Sequence, residues 1–193
     1  MIVGLTGGIA TGKSTITHRL KQDGYTIIDA DEITALLYQT NTAIIQTIGQ
    51  IFPETVIENK INRQLLAQII TDAPHLLTDL EAVIHPVIQQ EIKKQLDIHH
   101  HETKPVILSA PVLFETGLNH FCDKVICLYT SVRHQWLRAQ NRPGMTRTKF
   151  DMLIKRQWCN RQRMRQSDIN ISTFSSIQKT YTKVLKSIQK WEE

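Results

Sequence analysis

The stretch GLTGGIATGKST, residues 4–15, constrains this chain more than any other part of it. Gly7, Gly12, Lys13 and Ser14 fall at the spacing G-x-x-x-x-G-K-[ST], between a short apolar run and a segment with helical patterning. Glycines let a backbone wrap closely around phosphates with its N–H groups pointing inward. The helix that follows directs the positive end of its dipole at the same place. A lysine here can bridge the β and γ phosphates, and a serine hydroxyl can ligate Mg²⁺. Gly7, Gly8, Ala10, Thr11, Gly12, Lys13, Ser14 and Thr15 are therefore the expected nucleotide-binding residues, with Ser14 as the metal ligand.

The strand and helix on either side extend into a pattern. Ile2 to Thr6, Tyr25 to Asp29, Val106 to Ala110, Lys124 to Thr130 and Asp168 to Ser172 read as strands. They alternate with helical segments, which predicts an α/β fold: a five-stranded parallel sheet with helices on both faces, built around the phosphate-binding loop. The first helix is expected to run to about Gln22 and stop at Gly24. Ser131 to Asn141 and Thr146 to Gln166 read as two further helices. Tyr181, Val184, Leu185, Ile188 and Trp191 place one apolar stripe on a terminal helix. Residues from about 31 to 98 form a long helical insertion, broken at IFPE, NKIN and DAP, that reads as a small lobe within a single domain.

A chain of 193 residues with 41% hydrophobic content is long enough for one such domain. It opens on a strand-like segment without a basic and then apolar leader, and no apolar run approaches the roughly 18 residues of a membrane span. A soluble, cytoplasmic protein is expected. Cys122, Cys127 and Cys159 are odd in number and lack metal-ligand spacing, as expected of reduced thiols. The three histidines at 99–101 sit in a connecting loop, and neighbours in sequence seldom converge on one ion.

Nucleotide binding alone leaves the reaction open. A GTPase needs a guanine-reading N-K-x-D late in the chain, and NKIN at 59–62 lacks the acid and is misplaced. A motor or clamp ATPase usually ends a second apolar strand in a carboxylate that holds Mg²⁺, where this chain has Ser109. The small-molecule kinases remain. Asp29 and Asp31, directly after the second strand, stand where ligands collect in open α/β sheets, and a carboxylate there can take the proton of an attacking hydroxyl. An N-cap role is the alternative for either acid.

The net charge of +5 is unevenly spread: from Arg133 to Arg165 there are ten Lys or Arg against the single Asp151. Such a segment serves as a solvated helix face, as a nucleic-acid footprint or as arginines aimed at a polyphosphate. An RNA-binding reading is weakened by the scarcity of interleaved aromatics, only Trp136, Phe150 and Trp158.

Beyond the loop, the chain resembles the dephospho-CoA kinase family through IDADEI after the second strand, Arg63 heading a helix, LEAVIHP at 80–86, PVLFE at 111–115, and Gln135, Arg138, Arg142, Thr146 and Gln157 in order. The resemblance implies a nucleotide core, a helical acceptor lobe and an arginine-bearing lid at about 138–166. It also implies transfer of the γ-phosphate of ATP to the ribose 3′-hydroxyl of dephospho-CoA, with Mg²⁺. On matched positions, Lys13, Asp31, Arg138 and Arg142 are the expected catalytic residues. Asp31, Arg63, His85, Pro86, Leu113, Phe114 and Glu115 are the expected acceptor-binding ones. The remaining basic residues, Arg156 to Arg165 in particular, are expected on a solvated helix face, with contact between some of them and the CoA phosphates as the alternative. Two departures stand out: Ala10 replaces a glycine usual in the loop, and SDINISTFSS lacks the Asn and Gly of the family's turn near the adenine. A related kinase for another hydroxylated acceptor stays open, since fold does not fix the acceptor.

Overall fold

A computed structural model describes residues 1–192. It turns the first apolar run into β1 (Ile2–Thr6), followed by the loop, α1 (Lys13–Gln22) and β2 (Ile27–Asp29). α1 stops where expected, with Gly24 at φ 82°, a left-handed conformation that favours glycine.

Residues 29–97 form a compact unit of their own. It contains α2 (Ala30–Thr40), α3 (Thr42–Ile51), a hairpin of β3 (Val56–Ile57) and β4 (Lys60–Ile61), α4 (Arg63–Asp72), and the first 21 residues of α5 (Leu77–Ile98). The breaks fall at the segments named above. IFPE leads into a tight turn at Pro53–Thr55. NKIN becomes the hairpin, with Glu58 and Asn59 both at positive φ, and Asn62 caps α4 by accepting from the Gln64 and Leu65 amides. Leu80, Ile84, Ile88, Ile92 and Leu96 recur every fourth residue on α5 and are all buried.

The chain then resumes the first unit with β5 (Val106–Ser109), β6 (Lys124–Tyr129), α6 (Val132–Ala139), α7 (Arg147–Arg156), α8 (Asn160–Gln166), β7 (Ile169–Ser172) and α9 (Ile177–Glu192). The strand order is β2-β5-β1-β6-β7, and β1 pairs in parallel with both β5 and β6, as β6 does with β7. The connection after β1 runs toward β2, whereas that after its neighbour β5 crosses to β6 on the other side, so the carboxyl ends of β1 and β5 form the switch point where α/β sheets collect ligands. The phosphate loop starts there.

The main core joins Val3 and Leu5 of β1, Ile107, Ile126, Leu128 and Ile171 of the other strands, Ile16 and Leu20 of α1, and Tyr181, Val184 and Ile188 of α9. The predicted apolar stripe of the terminal helix is thus its packed face. A smaller core gathers Ala10, Ala139 and Phe150, flanked by Ile9, Trp136, Met145 and Ile154, and so anchors the loop to α6 and α7.

One predicted helix is two. The expected helix from Thr146 to Gln166 breaks at residues 157–159, where Gln157 and Cys159 are extended. One local and two distant contacts make the break favourable. The Trp158 amide donates to Glu115 Oε1 at 2.7 Å, the Cys159 amide donates to Gln162 Oε1 at 2.9 Å, and Trp158 stacks on Phe114. The amides of Trp158 and Cys159, which lose their helical partners at the break, are thus both satisfied.

Candidate active site

The loop is a strained turn closed by its own hydroxyl. Thr11 donates through Oγ1 to Gly8 O at 2.8 Å and through its amide to the same oxygen at 3.2 Å. Gly12 sits at φ 96°, in the left-handed region, and precedes α1 without a capping side chain; no acid occupies the helix's first turn. An N-terminus left uncapped and free of carboxylates suits an anionic ligand. A Cβ at Gly7 would lie 2.5 Å from Leu128 O, so the loop approaches β6 too closely for any other residue. Ala10 adopts φ 56°, a left-handed conformation in a non-glycine residue, with its methyl buried in the smaller core.

Lys13 is 8% exposed and donates from Nζ to Ser109 Oγ at 2.7 Å, at the end of β5. The residue that replaces the usual carboxylate on this strand therefore holds the loop lysine. Ser14 and Thr15 are exposed on the first turn of α1.

A pocket of about 500 Å³ opens beside the loop, lined by Thr11, Gly12, Thr15, Arg138, Thr173, Ser175 and further residues up to Thr180. Arg138 forms one wall. It donates to Thr173 O at 2.6 Å, to Thr173 Oγ1 at 3.1 Å and to Ala10 O at 3.5 Å, tying the loop to the segment after β7. Ser175 Oγ is buried on this segment without a hydrogen-bond partner. The resemblance located this segment through SDINISTFSS but assigned no residue in it, because it lacks the family's Asn and Gly and offers only small hydroxyl side chains. Asp168 instead zips β7 to β6: its amide donates to Val125 O and its Oδ2 accepts from the Val125 amide at 2.8 Å.

Arg142 is separated from Arg138 by the end of α6. The helix stops at Ala139, so the two arginines do not share a helical face, and Arg142 is exposed in the turn before Gly144. The basic segment also differs from a uniformly solvated face. Arg156, Arg161 and Arg165 are exposed, but Arg163 is 2% exposed. Its neighbours Gln135 and Gln157 grip the Ile9 peptide from two sides: Gln135 Nε2 donates to Ile9 O at 2.8 Å, and Gln157 Oε1 accepts from the Ile9 amide at 2.9 Å.

Leu113, Phe114 and Glu115 lie in the turn after β5. Leu113 is fully buried and faces Gly4, where a Cβ would lie 3.0 Å from it, so it cannot line a pocket itself. Phe114 and Glu115 are partly accessible and engage Trp158, and Glu115 Oε2 is buried without a hydrogen-bond partner. In the second unit, Asp29 caps α2 by accepting from the Asp31 and Glu32 amides at 2.9 and 3.3 Å, which leaves Asp31 in the helix's first turn. Arg63 begins α4 and is exposed; burial pushes the Tyr38 hydroxyl up to about 12, with the Arg63 charge opposing it. His85 is half-buried on α5, and the helix runs through Pro86 without ending. His99 pairs with Glu102 at 2.6 Å, and the described residues contain no group of three or more His, Cys, Asp or Glu that could hold a metal ion. No described helix is long and apolar enough to cross a membrane.

Residues 1–179 match the sequence profile of the family described as dephospho-CoA kinase. The chain is 35% identical over 178 residues to the dephospho-CoA kinase of Zymomonas mobilis, covering 92% of this chain and 89% of that one. Among solved structures it is similar to TT1252 from Thermus thermophilus, at a TM-score of 0.82 and 25% identity over 98% of this chain and 96% of that one. It is likewise similar to a dephospho-CoA kinase from Campylobacter jejuni, at a TM-score of 0.72 and 25% identity over 99% and 96%.

Proposed function

The chain belongs to the dephospho-CoA kinase family, an ATP-dependent kinase family, and from that premise we propose how its residues divide the transfer of the γ-phosphate of ATP to the ribose 3′-hydroxyl of dephospho-CoA. The observation that carries the assignment is the uncapped, acid-free start of α1 behind a glycine loop, with Lys13 held at its mouth.

The loop amides and Lys13 bind the β and γ phosphates. Lys13 then exchanges its Ser109 partner for phosphate oxygen, and its ammonium, already buried, has little further water to lose. The pocket beside the loop takes the adenosine, with Arg138 and the segment from Thr173 to Thr180 around it. The exposed Ser14 hydroxyl is a hard oxygen ligand on the first turn of α1, which suits Mg²⁺, an ion that needs few protein ligands and retains several waters. Held by Ser14, Mg²⁺ would supply positive charge against the charge developing on the transferring group.

Asp31 accepts the proton of the 3′-hydroxyl as its oxygen bonds to the γ-phosphorus, while the bond from that phosphorus to the bridging oxygen breaks and ADP leaves. Arg142, exposed in the turn after α6, supplies positive charge to the transferring phosphoryl from a lid at about 138–166. Arg63, His85 and Pro86, with Phe114 and Glu115, hold the acceptor. The test is ADP release with ATP and Mg²⁺, with and without dephospho-CoA, with mass detection of the product. Acceptor-dependent ADP together with CoA is the expected result. ATP binding without stimulation by dephospho-CoA would discard the acceptor and leave the nucleotide site standing.

A further inference from the structure

Behind the phosphate loop lies a charge without a counter-charge. Arg163 projects from α8 and is 2% exposed. Its Nη2 lies 2.7 Å from the point that a Cβ on Gly8 would occupy, so it rests directly against the turn of the loop. Nη2 donates to Asn160 Oδ1 at 3.2 Å, whereas Nε and Nη1 are buried without a hydrogen-bond partner. Among the described residues no carboxylate forms an ion pair with it. The buried thiol beside it, Cys127, is no substitute. Burial pushes that thiol up to about 11 even though the Arg163 charge and hydrogen bonding from Ser167 and Arg163 oppose the shift, so it stays neutral and offers the guanidinium only a weak sulfur acceptor.

An arginine does not shed its proton to escape such a place. A buried cation with no counter-charge, and with two donors that meet no oxygen acceptor, is strongly unfavourable, and native structures retain one where it is put to use. Here the two glutamines that fix the Ile9 peptide stand beside it, against the same Gly8 position. The guanidinium thus belongs to the rear wall of the phosphate loop.

We propose that Arg163 is a positioning residue of the nucleotide site, a buried permanent cation whose counter-ion is the triphosphate of ATP on the other side of the Gly8 turn. This rests on the reading that the loop binds ATP. The charge destabilises the ATP-free protein and is neutralised at a distance when the nucleotide binds, so ATP affinity and the stability of α8 against the loop are coupled through one side chain.

The experiment compares wild type, Arg163→Met, Arg163→Gln and Arg163→Lys by thermal melting with and without ATP and Mg²⁺, by calorimetric titration with ATP, and by steady-state kinetics. Expected for the two neutral variants is an ATP-free melting temperature equal to or above that of wild type, a smaller ATP-induced shift, and a Kd for ATP weakened about tenfold. KM for ATP should rise in parallel, kcat should change less than about threefold, and Arg163→Lys should recover most of the affinity. Neutral variants that melt lower without ATP, or fail to fold, while ATP binds any folded variant as tightly as wild type, would make Arg163 structural and overturn the proposal. A wild-type protein that ATP does not stabilise would overturn the reading of the loop itself, and this proposal with it.

Discussion

Lys13 Nζ is 2.7 Å from Ser109 Oγ, and both residues are buried. The hydroxyl at the end of β5 therefore gives the loop ammonium an acceptor before any phosphate arrives. Ser109→Ala removes one charge-assisted bond and should lower stability by about 1–3 kcal/mol in the ATP-free protein. With saturating ATP and Mg²⁺ that deficit should shrink, because phosphate oxygens take over the donor. Urea unfolding with and without nucleotide reads this directly; an equal deficit in both states would mean that Lys13 keeps Ser109 throughout. Lys13→Ala should lower kcat/KM by more than about 10³, far beyond the Ser109 variant.

Asp31→Asn keeps the shape of the side chain and the start of α2, where Asp29 supplies the capping oxygen. Loss of a general base should lower kcat by about 10²–10⁴, with the Kd for ATP changed less than about twofold. Turnover within a few-fold of wild type would remove Asp31 from the chemistry.

The loop was legible because everything it needs is local: glycine spacing, the strand before it and the helix dipole after it all lie within twenty residues of sequence. The five strands of the main sheet were legible to within two residues at their ends for the same reason, whereas the short β3–β4 hairpin was read only as a break in the helical insertion. What sequence periodicity missed depends on partners far along the chain. α7 and α8 separate because Glu115 lies 43 residues before Trp158 and Ile9 lies 148 before Gln157. Arg163 is buried because α8 then packs beside Gly8, which no count of arginines could show. The pocket wall after β7 is built by backbone and small hydroxyl side chains, and such residues carry no pattern of their own.

Arg138 and Arg142 should now separate kinetically. Arg138 is tied to Thr173 and Ala10 and lines the pocket, so Arg138→Ala should raise KM for ATP about tenfold and lower kcat less. Arg142 is exposed and outside α6, so if it reaches the transferring phosphoryl, Arg142→Ala should lower kcat by about 10² or more with little change in KM. The opposite pattern would exchange their roles.

Ala10 holds φ 56° and buries its methyl against Ala139 and Phe150. A left-handed conformation costs an L-residue about 1–2 kcal/mol, and the methyl gains about 0.8 kcal/mol by burial. Ala10→Gly should therefore stabilise the ATP-free protein by up to about 1 kcal/mol, visible as a higher melting temperature. A loss of more than about 1 kcal/mol would show that packing on α6 and α7 outweighs the strain of the turn.

The three thiols should differ in reactivity and set an alkaline limit on stability. Cys159 is exposed, whereas burial and the Asp123 charge push Cys122 up to about 12, and burial pushes Cys127 up to about 11. Near pH 8 a thiol reagent should label Cys159 rapidly and the other two only on unfolding. In the unfolded chain all three thiols ionise near their ordinary value, about 8.5. Above that pH the unfolded state holds fewer protons than the native state, so stability falls as pH rises. The native advantage is intact below the ordinary thiol value and is lost as pH climbs through the raised ones, at up to about 1.4 kcal/mol per pH unit for Cys122 and for Cys127. Cys127→Ala lowers stability at neutral pH through the cavity it leaves, yet it should flatten the decline between about pH 9 and 11. Equal slopes for wild type and variant across that window would mean that Cys127 ionises as readily in the native core as in the open chain.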